Sequence, residues 1–583
     1  MRSITQILYI LQCPLEFENL FGSDGFVVRF LASRYISYDF PAAPQTQSTT
    51  QVSLSALDTP RFSESTHHAP FLGRGFREIA EAPRRRSEIR KVTRRDFLRA
   101  AAAAAAAGIT GAAARAFLRD LLPSVEAQRT IPIKSAVVIG SGFAGLTAAY
   151  LLSKMGKTVT VLEKCHRPGG RCQQHNYPDG THAAISYSEF FDRKCNPDMW
   201  WLLSELRYGS ADIVEFPWDC FYYWRGKYSF DKWKNLQPKL PWDDSGGYTD
   251  FRAFSDEVWA SKAPFDVPHE TTDYVKYDYT DFKDWILRNP DGTPHHRTDV
   301  EEFVNLNLKG ETGGPNEWTS AAYGIDSWYW WEFSRFYELK HGNYALIEAL
   351  MSKLPSGTVH LNEEVKRVEN TATGVQVETA GARYKADAAI VAVDHPSVPG
   401  ILPELPTDRQ AALESMGVNK NIRIIAQFTE KYCDTKYGMW GFGGYTDHNV
   451  TRGAYCVFHE TATQPYPRGV ISMYINDPEA TALWKPSKGI HVTRPAADEL
   501  VAYFLDELEK FWPGAHDYYV PGSGLAFEWV PYGPAFKPGY VLDGTYAKNR
   551  LPVGRIYFAG DWVYGFSGSE AVFSGREVVK NFT

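Results

Sequence analysis

The stretch that opens near Ile133 has the clearest pattern of hydrophobic and polar positions in the chain. A short apolar run, Ala136–Ile139, leads into a glycine-rich turn and then into a helical stretch that reaches Leu152. A second apolar run, Val159–Leu162, ends at the acid Glu163. Strand, glycine turn, helix, strand and acid follow one another in the order of a dinucleotide-binding unit. The pattern therefore predicts an α/β fold.

Each glycine of this turn has a predicted task. Gly140 permits the tight turn, Gly142 lets the backbone approach a pyrophosphate, and Gly145 lets the helix pack close to the sheet. The helix N-terminus offers N–H groups and a positive dipole end to the phosphates, and Glu163 is spaced to accept ribose hydroxyls. The predicted cofactor contacts here are Gly140, Gly142, Phe143, Ala144, Gly145, Glu163 and Lys164.

Strand-like patterns also occur in two later parts of the chain. The segments Thr358–Val365, Gly374–Thr379 and Ala389–Val393 carry alternating or short apolar runs, which predict strands, the alternating ones with one wet face. Near the C-terminus, Arg555–Trp562 predicts a strand that runs into a turn, and Ser569–Gly575 predicts the start of a final helix.

The glycine turn and two further motifs resemble those of the flavin amine oxidase superfamily. That superfamily includes monoamine, polyamine and L-amino-acid oxidases and is related to plant-type carotenoid desaturases. Arg167–Arg171 is similar to its second glycine motif, and the segment around Gly560 and Asp561 is similar to its closing motif. Ser569-Glu570-Ala571 stands where members often carry Glu-Gly-Ala. The further FAD contacts that the resemblance implies are Gly170, Arg171, Val365, Gly560, Asp561, Glu570, Ala571 and Val572.

The resemblance implies a Rossmann-like FAD-binding domain of the glutathione-reductase type with an interleaved α+β substrate domain. The FAD-binding domain is expected at 133–204, 342–395 and 525–583, and the substrate domain at 205–341 and 396–524. The active site is expected where the two meet. Covalently flavinylated members bind the ring through a late cysteine, and no cysteine follows Cys456 here. We therefore expect non-covalent FAD.

Two residues are candidates for the catalytic side of the site. Many members place a lysine near the flavin N5 on a strand that is similar to Asn421–Phe428, and Arg423 stands at that position. The alternative is a strand arginine that faces solvent. L-amino-acid oxidases hold the substrate carboxylate with an arginine where this chain has Glu189, which favours an extra ammonium instead. The alternative there is a pair with Arg193 on a helix face.

The resemblance implies oxidation of a small-molecule amine, with hydride transfer to the flavin N5, reoxidation by O2 or another acceptor, and hydrolysis of the imine. The alternatives are a desaturase of a large apolar, carotenoid-like substrate, an L-amino-acid oxidase, and a flavin-binding protein without turnover. An aromatic run between Trp318 and Tyr337 is expected to serve core packing or a substrate cage. Trp529, Tyr532, Tyr564 and Phe566 are further candidates for the cavity wall.

The N-terminal part resembles a leader with a twin-arginine export signal. Thr93–Arg99 contains two adjacent arginines, Ala100–Ala107 is an unbroken alanine run, and Val125–Ala127 offers a small-residue cleavage site. We expect residues 1–92 to be disordered, 93–127 to be the signal, and the mature protein to be periplasmic or secreted. The alternatives are a cytosolic Arg/Ala-rich helix and a translation start closer to Thr93.

Composition excludes several other classes of protein. A net charge of −7 over 583 residues, with no long basic tract after residue 91, argues against a nucleic-acid partner. Arg115 interrupts the weakly apolar leader well short of the ~20 residues that a membrane span needs. The seven cysteines lack metal-ligand spacing, so neither a metal site nor a disulfide scaffold is expected, and one or two isolated disulfides are the alternative. A homodimer is compatible with the sequence.

Overall fold

A computed structural model describes residues 133–582, with gaps at 188, 217–218, 226, 233–241, 243–244, 263–275, 310–311, 313, 419–420, 438–443, 447–453, 458–465, 476–493, 496–497 and 530–532. The predicted N-terminal extension 1–92 and export signal 93–127 lie outside the described residues, as does Tyr532. Within the described part of the chain, no helix combines the length and the apolar character that crossing a bilayer requires.

The elements are numbered in chain order. The strands are β1 (Ser135–Ile139), β2 (Thr158–Glu163), β3 (Gln174–Asn176), β4 (His182–Ala184), β5 (Phe190–Phe191), β6 (Ile213–Phe216), β7 (Asp219–Trp224), β8 (Lys227–Lys232), β9 (Phe336–Leu339), β10 (Val359–Leu361), β11 (Val365–Asn370), β12 (Val375–Thr379), β13 (Arg383–Ala386), β14 (Ala388–Val391), β15 (Gly417–Val418), β16 (Asn421–Phe428), β17 (Gly444–Thr446), β18 (Ala454–Val457), β19 (Gly469–Ile475), β20 (Arg494–Pro495), β21 (Leu525–Trp529), β22 (Pro534–Ala535) and β23 (Ile556–Phe558).

The helices are α1 (Phe143–Lys154), α2 (Pro197–Glu205), α3 (Ser245–Lys262), α4 (Phe282–Leu287), α5 (Thr298–Leu308), α6 (Ala321–Phe333), α7 (Tyr344–Lys353), α8 (Val398–Ile401), α9 (Thr407–Ser415), α10 (Tyr432–Tyr437), α11 (Asp498–Phe511), α12 (Ala515–Tyr518), α13 (Thr545–Arg550), α14 (Asp561–Tyr564) and α15 (Gly568–Val578).

One of the two large sheets of the fold is a five-stranded parallel sheet in the order β10-β2-β1-β14-β23. Its strands come from all three segments that the sequence assigned to the FAD-binding domain. Alternate residues of β1 enter opposite cores: Ala136 and Val138 pack with residues of α1, while Val137 and Ile139 pack with residues of β11 and β12. Both faces are therefore covered, as parallel sheets require. The predicted α/β class with a Rossmann-like sheet is confirmed.

Helices α1 and α15 pack closely together although they come from opposite ends of the chain. An added Cβ at Gly575 of α15 would lie 2.6 Å from the carbonyl oxygen of Ala144 in α1, so the two backbones approach as closely as glycine allows. The final helix is thereby fixed beside the helix that follows the glycine turn.

An eight-stranded sheet in the order β20-β21-β16-β19-β18-β17-β7-β8 forms the second layer. Strand β16 occupies the residues predicted for it, and its eight positions are all buried. Strand β21, which the sequence assigned to the FAD-binding domain from residue 525, pairs antiparallel with β16 in this sheet. The last segment therefore joins the parallel sheet only at β23, because the side chains of β21 complete the core beneath β16.

The aromatic run between Trp318 and Tyr337 mostly forms helix α6, and the predicted core packing is confirmed. Every residue from Ala321 to Glu332 is buried. Most of the apolar side chains of α6 join a cluster that also contains side chains of α3, α4 and α5, whereas Tyr323 packs in the core around Phe536 and Tyr540. Trp318 lies outside this cluster and is 63% exposed. One ring of the helix, Trp330, extends this aromatic layer to Phe566, with ring centroids 5.5 Å apart.

Candidate active site

A cavity follows the carboxyl ends of the parallel strands. Its lining residues directly follow β1, β2, β14 and β23, which is the edge at which α/β sheets bind their ligands. Further walls come from the segment after Gly169, from the start of β11 and from the beginning of α15. Of the predicted site residues, the following line it: Gly140, Gly142, Phe143, Ala144, Glu163, Lys164, Gly170, Arg171, Glu189, Val365, Gly560, Asp561 and Ala571.

Each glycine of the first turn is required for a different structural reason. Gly140 has φ +99°, and a Cβ there would lie 2.5 Å from the carbonyl oxygen of Ala392. A Cβ at Gly145 would lie only 2.1 Å from the carbonyl oxygen of Gly140, so this residue lies at the contact of α1 with the sheet and does not line the cavity. A Cβ at Gly142 would meet no protein atom within 4 Å. The space beside Gly142 is open, as the approach of a pyrophosphate requires.

Glu163 holds the glycine turn in place. Its Oε2 accepts hydrogen bonds from the Ser141 N–H at 2.9 Å and from the Ser141 hydroxyl at 2.7 Å. Its Oε1 accepts one from the Cys165 N–H at 2.9 Å. The residue is 7% exposed and lies on the cavity wall. Besides the predicted ribose contact, the carboxylate thus joins the ends of β1 and β2.

An ion pair connects the second glycine motif to the closing motif. Arg171 Nη2 lies 2.7 Å from Asp561 Oδ2, and the aspartate side chain is 5% exposed. The neighbouring Trp562 donates its indole N–H to the carbonyl oxygen of Val393 at 2.8 Å, which fixes the closing motif to the end of β14. Burial lowers the pKa of nearby His395 to about 4 despite the charge of Asp561. The imidazole is therefore neutral at pH 7, which leaves Asp561 paired with Arg171.

The last helix begins with a capping box. Ser567 is the N-cap, and Glu570 accepts hydrogen bonds from the backbone N–H and the hydroxyl of Ser567. Burial raises the pKa of Glu570 to about 7. Ser567, Gly568 and Ala571 line the cavity, whereas Glu570 caps the helix and Val572 lies in the core beneath it. The positive end of α15 therefore points to the cavity, but neither Glu570 nor Val572 lies on its wall.

Glu189 lies on the cavity wall beside aromatic rings. It directly precedes β5 and is half-buried, so it does not lie on a helix face. Tyr187, Phe191 and Phe566 lie on the same wall. Burial raises the pKa of the Tyr187 hydroxyl well above its ordinary value, and the nearby Glu189 carboxylate adds to this effect. This end of the cavity thus combines an acid with apolar surface.

Arg423 lies behind the wall, in the eight-stranded sheet. The side chain is fully buried, so the alternative of a solvent-facing arginine is wrong. Its Nη1 donates to the carbonyl oxygen of Ser186 at 2.9 Å and its Nη2 to the hydroxyl of Ser472 at 2.8 Å. Arg423 is not among the cavity-lining residues, whereas Ser186 is. The structure therefore places the predicted catalytic arginine one residue away from the cavity, where it holds the Ser186 backbone.

Sequence reasoning did not single out several lining residues. Ser141 is bound by Glu163, and Asp394 follows β14 at the same edge at which Glu163 ends β2. The signal for Asp394 was available, because polar residues at the ends of neighbouring parallel strands converge. Phe191 carried no such signal, because its position depends on the pairing of β5 with β9. Of the other wall candidates, Trp529 is buried and donates to the carbonyl oxygen of Ile185 at 3.2 Å.

The parallel sheet, the glycine turn and the acid at the end of β2 define a dinucleotide-binding protein of the Rossmann-like class. The family model of flavin containing amine oxidoreductases matches residues 143–581. The chain belongs to this family and is an FAD-dependent oxidoreductase of the amine oxidase type.

Three proteins illustrate the similarity. An L-amino-acid oxidase of Demansia vestigiata is 22% identical over 470 residues, which cover 74% of this chain and 82% of the relative. Polyamine oxidase 4 of Oryza sativa subsp. japonica is 25% identical over 477 residues, covering 76% and 86%. The structure of cyclohexylamine oxidase from Brevibacterium oxydans superposes with a TM-score of 0.61 at 18% identity, covering 77% and 99%. This structural likeness establishes the fold.

The residues that line the cavity suit the parts of an FAD. Glu163 and Val365 lie at the end that would hold the adenosine, and the open space at Gly142 together with Gly170 suits the pyrophosphate. A Cβ at Gly170 would lie 3.3 Å from the Cα of Gly142, so the two glycine motifs meet there. The N-terminus of α15 suits the pyrimidine edge of a flavin, which carries partial negative charge.

Proposed function

We propose that this enzyme oxidises the C–N bond of a cationic amine, with a diamine or polyamine as the preferred substrate class. The observation that carries the proposal is the position of Glu189 on the cavity wall beside Phe191 and Phe566. The relatives act, by their names, on amino acids, polyamines and a cyclic amine, so the family alone leaves the substrate open.

Charge on the cavity wall favours an ammonium over a carboxylate. Among the described lining residues the lysines and arginines are Lys164 and Arg171. Arg171 is paired with Asp561, and Lys164 directly follows Glu163 at the end proposed for the adenosine. A substrate carboxylate at the Glu189 end would face a like charge, whereas a second ammonium would face an opposite one. This electrostatic difference supports an amine without a carboxylate.

The residues around Glu189 prepare the substrate for oxidation. The bound flavin would accept a hydride from the carbon next to the amine nitrogen, and O2 or another acceptor would reoxidise it. Apolar Phe191 and Phe566 would exclude water and favour the neutral form of the reacting amine, since burial lowers the pKa of an ammonium. Glu189 would hold the distant ammonium and so orient the chain. Arg423 acts as a positioning residue through Ser186.

The cysteines at the cavity support non-covalent FAD. Cys165 and Cys172 line it, and both thiols are buried or half-buried. Burial, and secondly the charge of Glu163, raises the pKa of Cys165 to about 11. Burial alone also raises the pKa of Cys172. Because the thiolate is the nucleophilic form, neither residue is activated for attack on a flavin. Denaturation should therefore release all of the FAD into the supernatant.

Glu189→Gln is expected to weaken the binding of a diamine such as putrescine about 10- to 100-fold. A hydrogen-bonded charge contact contributes about 1.5–3 kcal/mol, and the amide cannot form an ion pair with the ammonium. A monoamine of similar size should bind the variant almost as well as the parent enzyme. The measurement is anaerobic stopped-flow reduction of the flavin over a range of substrate concentrations.

The matched control is Glu404→Gln, the same chemical change at an exposed position between α8 and α9. Putrescine binding should be unchanged there. If Glu189→Gln left the ratio of diamine to monoamine affinity unaltered, or if L-amino acids reduced the parent enzyme far faster than amines, the cationic-substrate proposal would be wrong. If only a lipid-dispersed polyene reduced the flavin and no amine did, the proposal of amine oxidation would be wrong as a whole.

We also propose that the protein is exported through the twin-arginine route, on the basis of Thr93–Arg99 and the alanine run that follows. In a twin-arginine-competent bacterial host, the exported protein should begin at Gln128, after the Val125–Ala127 site. Replacing Arg94 and Arg95 by lysine should leave it in the cytoplasm. Measurement of the intact mass and cell fractionation test both expectations. Cleavage or export of the double variant at the level of the parent protein would contradict them.

A further inference from the structure

Three potential metal ligands converge away from the cavity, on the helical layer. Glu257 belongs to α3, and His295 and His296 lie in the segment that follows α4. The Nε2 atom of His295 is 2.9 Å from Glu257 Oε2, and the Nε2 atom of His296 is 3.2 Å from the same oxygen. Two imidazole nitrogens and a carboxylate oxygen thus face one point.

The backbone holds these side chains in position. The N–H of His295 donates to the carbonyl oxygen of Leu287 at 2.9 Å, and that of His296 to the carbonyl oxygen of Ile286 at 3.0 Å. These bonds tie the histidine segment to the end of α4. On α3, Asp250 precedes Glu257 by seven residues, which is two helical turns, so both acids project from one face.

The other nitrogen of each ring faces a hydrogen-bond acceptor. Nδ1 of His296 is 3.1 Å from Asp250 Oδ1, and Nδ1 of His295 is 3.3 Å from the carbonyl oxygen of Trp285. A carbonyl oxygen only accepts, so Nδ1 of His295 carries the proton. Metal-binding histidines show this arrangement, in which the outer N–H donates to a carboxylate or carbonyl and fixes the lone pair on the inner nitrogen.

The geometry of the two rings suits a shared ion. Their centroids lie 4.0 Å apart, and the three inner ligand atoms lie within 4.8 Å of one another. Rings that donate at Nδ1 and ligate at Nε2 would use every contact described above.

We propose that Glu257, His295 and His296 bind one divalent transition-metal ion of the zinc class. Ligand atoms around tetrahedral zinc lie about 3.3 Å apart, given bond lengths of about 2.0–2.2 Å. The two separations from Glu257 Oε2, 2.9 and 3.2 Å, are close to this value, and all three atoms lie within 4.8 Å of one another. Imidazole and carboxylate ligands select zinc, copper or nickel over magnesium and calcium. The site is half-open, since the Glu257 and His295 side chains are 33% and 23% exposed, which leaves room for a water as fourth ligand.

The proposed ion has a structural role. None of its ligands lines the cavity. Apolar rings pack against both histidines: the ring centroids of Phe254 and His296 are 5.8 Å apart with the rings edge-on, and those of Trp285 and His295 are 6.5 Å apart. Phe254 also packs on Trp328 of α6. The ion would clamp α3 to the segment after α4, and through α6 it would stabilise the layer that supports the aromatic cavity wall.

The test is equilibrium dialysis of the chelator-treated holoenzyme against zinc chloride, with bound metal and FAD quantified together. The parent enzyme should retain one Zn²⁺ per chain, and zinc should raise its thermal unfolding temperature. Glu257→Gln and His296→Ala should each weaken zinc binding at least about tenfold, and Asp250→Ala about 10- to 100-fold through loss of the outer contact. His516→Gln, at a surface histidine beside Asp506, is the matched control and should bind zinc as the parent does.

Unaltered flavin absorbance shows that each variant is folded. Should a variant fail to fold, electron paramagnetic resonance of the Cu²⁺-loaded parent enzyme decides, since two equatorial imidazole nitrogens are expected. The proposal would be overturned by any of three results: no saturable zinc binding, zinc binding that none of the three substitutions weakens, or a copper spectrum without nitrogen coupling. NMR signals of two protonated imidazoles that persist at neutral pH in excess zinc would instead assign the cluster to protons alone.

Discussion

Glu163→Ala is expected to weaken FAD binding by about 100-fold or more. The substitution removes the acceptor of three hydrogen bonds, two from Ser141 and one from the Cys165 N–H. Each donor left without a partner in a buried place costs about 1–3 kcal/mol, so the glycine turn loses its fixed shape as well as the proposed ribose acceptor. Titration of the apoprotein with FAD, followed by quenching of flavin fluorescence, measures the effect.

Glu369→Ala provides a matched control for this prediction. Glu369 lies on β11 and pairs with Arg367 at the surface, where solvent screening leaves an ion pair little effect on stability. Its loss should leave FAD affinity unchanged. Glu163→Gln should fall between the two, because the amide oxygen still accepts but the amide nitrogen cannot. FAD affinity of Glu163→Ala within a factor of three of the parent would contradict the assigned role.

Gly145→Ala is expected to destabilise the fold by several kcal/mol. The added Cβ would lie 2.1 Å from the carbonyl oxygen of Gly140 and 3.3 Å from the Cβ of Ala392. Both obstacles belong to the rigid end of the parallel sheet, so α1 would have to move away and open the core around Leu146 and Ala149. Thermal unfolding of the apoprotein, followed by tryptophan fluorescence, should show a large decrease in the unfolding temperature.

Gly142→Ala is the matched comparison, because the same methyl group is added three residues earlier. No protein atom lies within 4 Å of that Cβ, so the apoprotein should unfold at nearly the parent temperature. FAD affinity should nevertheless fall, since the methyl group occupies the space for the pyrophosphate. If both variants lost stability equally, the separation of a packing glycine from a cofactor glycine would be wrong.

Local sequence patterns predicted the parallel sheet well. The apolar runs at Ala136–Ile139 and Val159–Leu162 became β1 and β2 almost to the residue, and Asn421–Phe428 became β16. Strands β1 and β16 are almost wholly buried and β2 is buried in its second half, so the apolar runs were nearly continuous and easy to read. The membership of β21 was not readable in this way, because a short strand joins whichever sheet offers an unpaired edge, here that of β16.

The candidate site was predicted for backbone positions better than for side chains. Gly140, Gly142 and Gly170 line the cavity because turn geometry follows from local sequence. Glu570 and Val572 were expected at the flavin, yet a helix rotates each successive side chain by about 100°, so Ala571 alone of the three faces the cavity. Arg423 shows the same limit of prediction in a strand. The elements that pack on each face of the sheet decide what a strand side chain contacts, and the sequence of the strand does not reveal them.

The features that the sequence did not predict depend on contacts between distant segments. The Arg171–Asp561 pair joins positions 390 residues apart, and the cluster of Glu257 with His295 and His296 depends on how α3 packs beside α4. The cysteine spacing that argued against a metal site could not detect it, because its proposed ligands are histidines and a carboxylate on separate elements.

The sequence by itself determined the Rossmann-like unit, the glycine turn and the acid at the end of β2, because hydrophobic periodicity and turn chemistry act between near neighbours. Only the tertiary structure decided that Glu163 binds Ser141, that Glu189 lies on the cavity wall and that Arg423 lies behind it. These positions depend on strand pairing and helix packing between distant segments, and the entropy and packing terms that select such contacts leave no periodic signal in the chain.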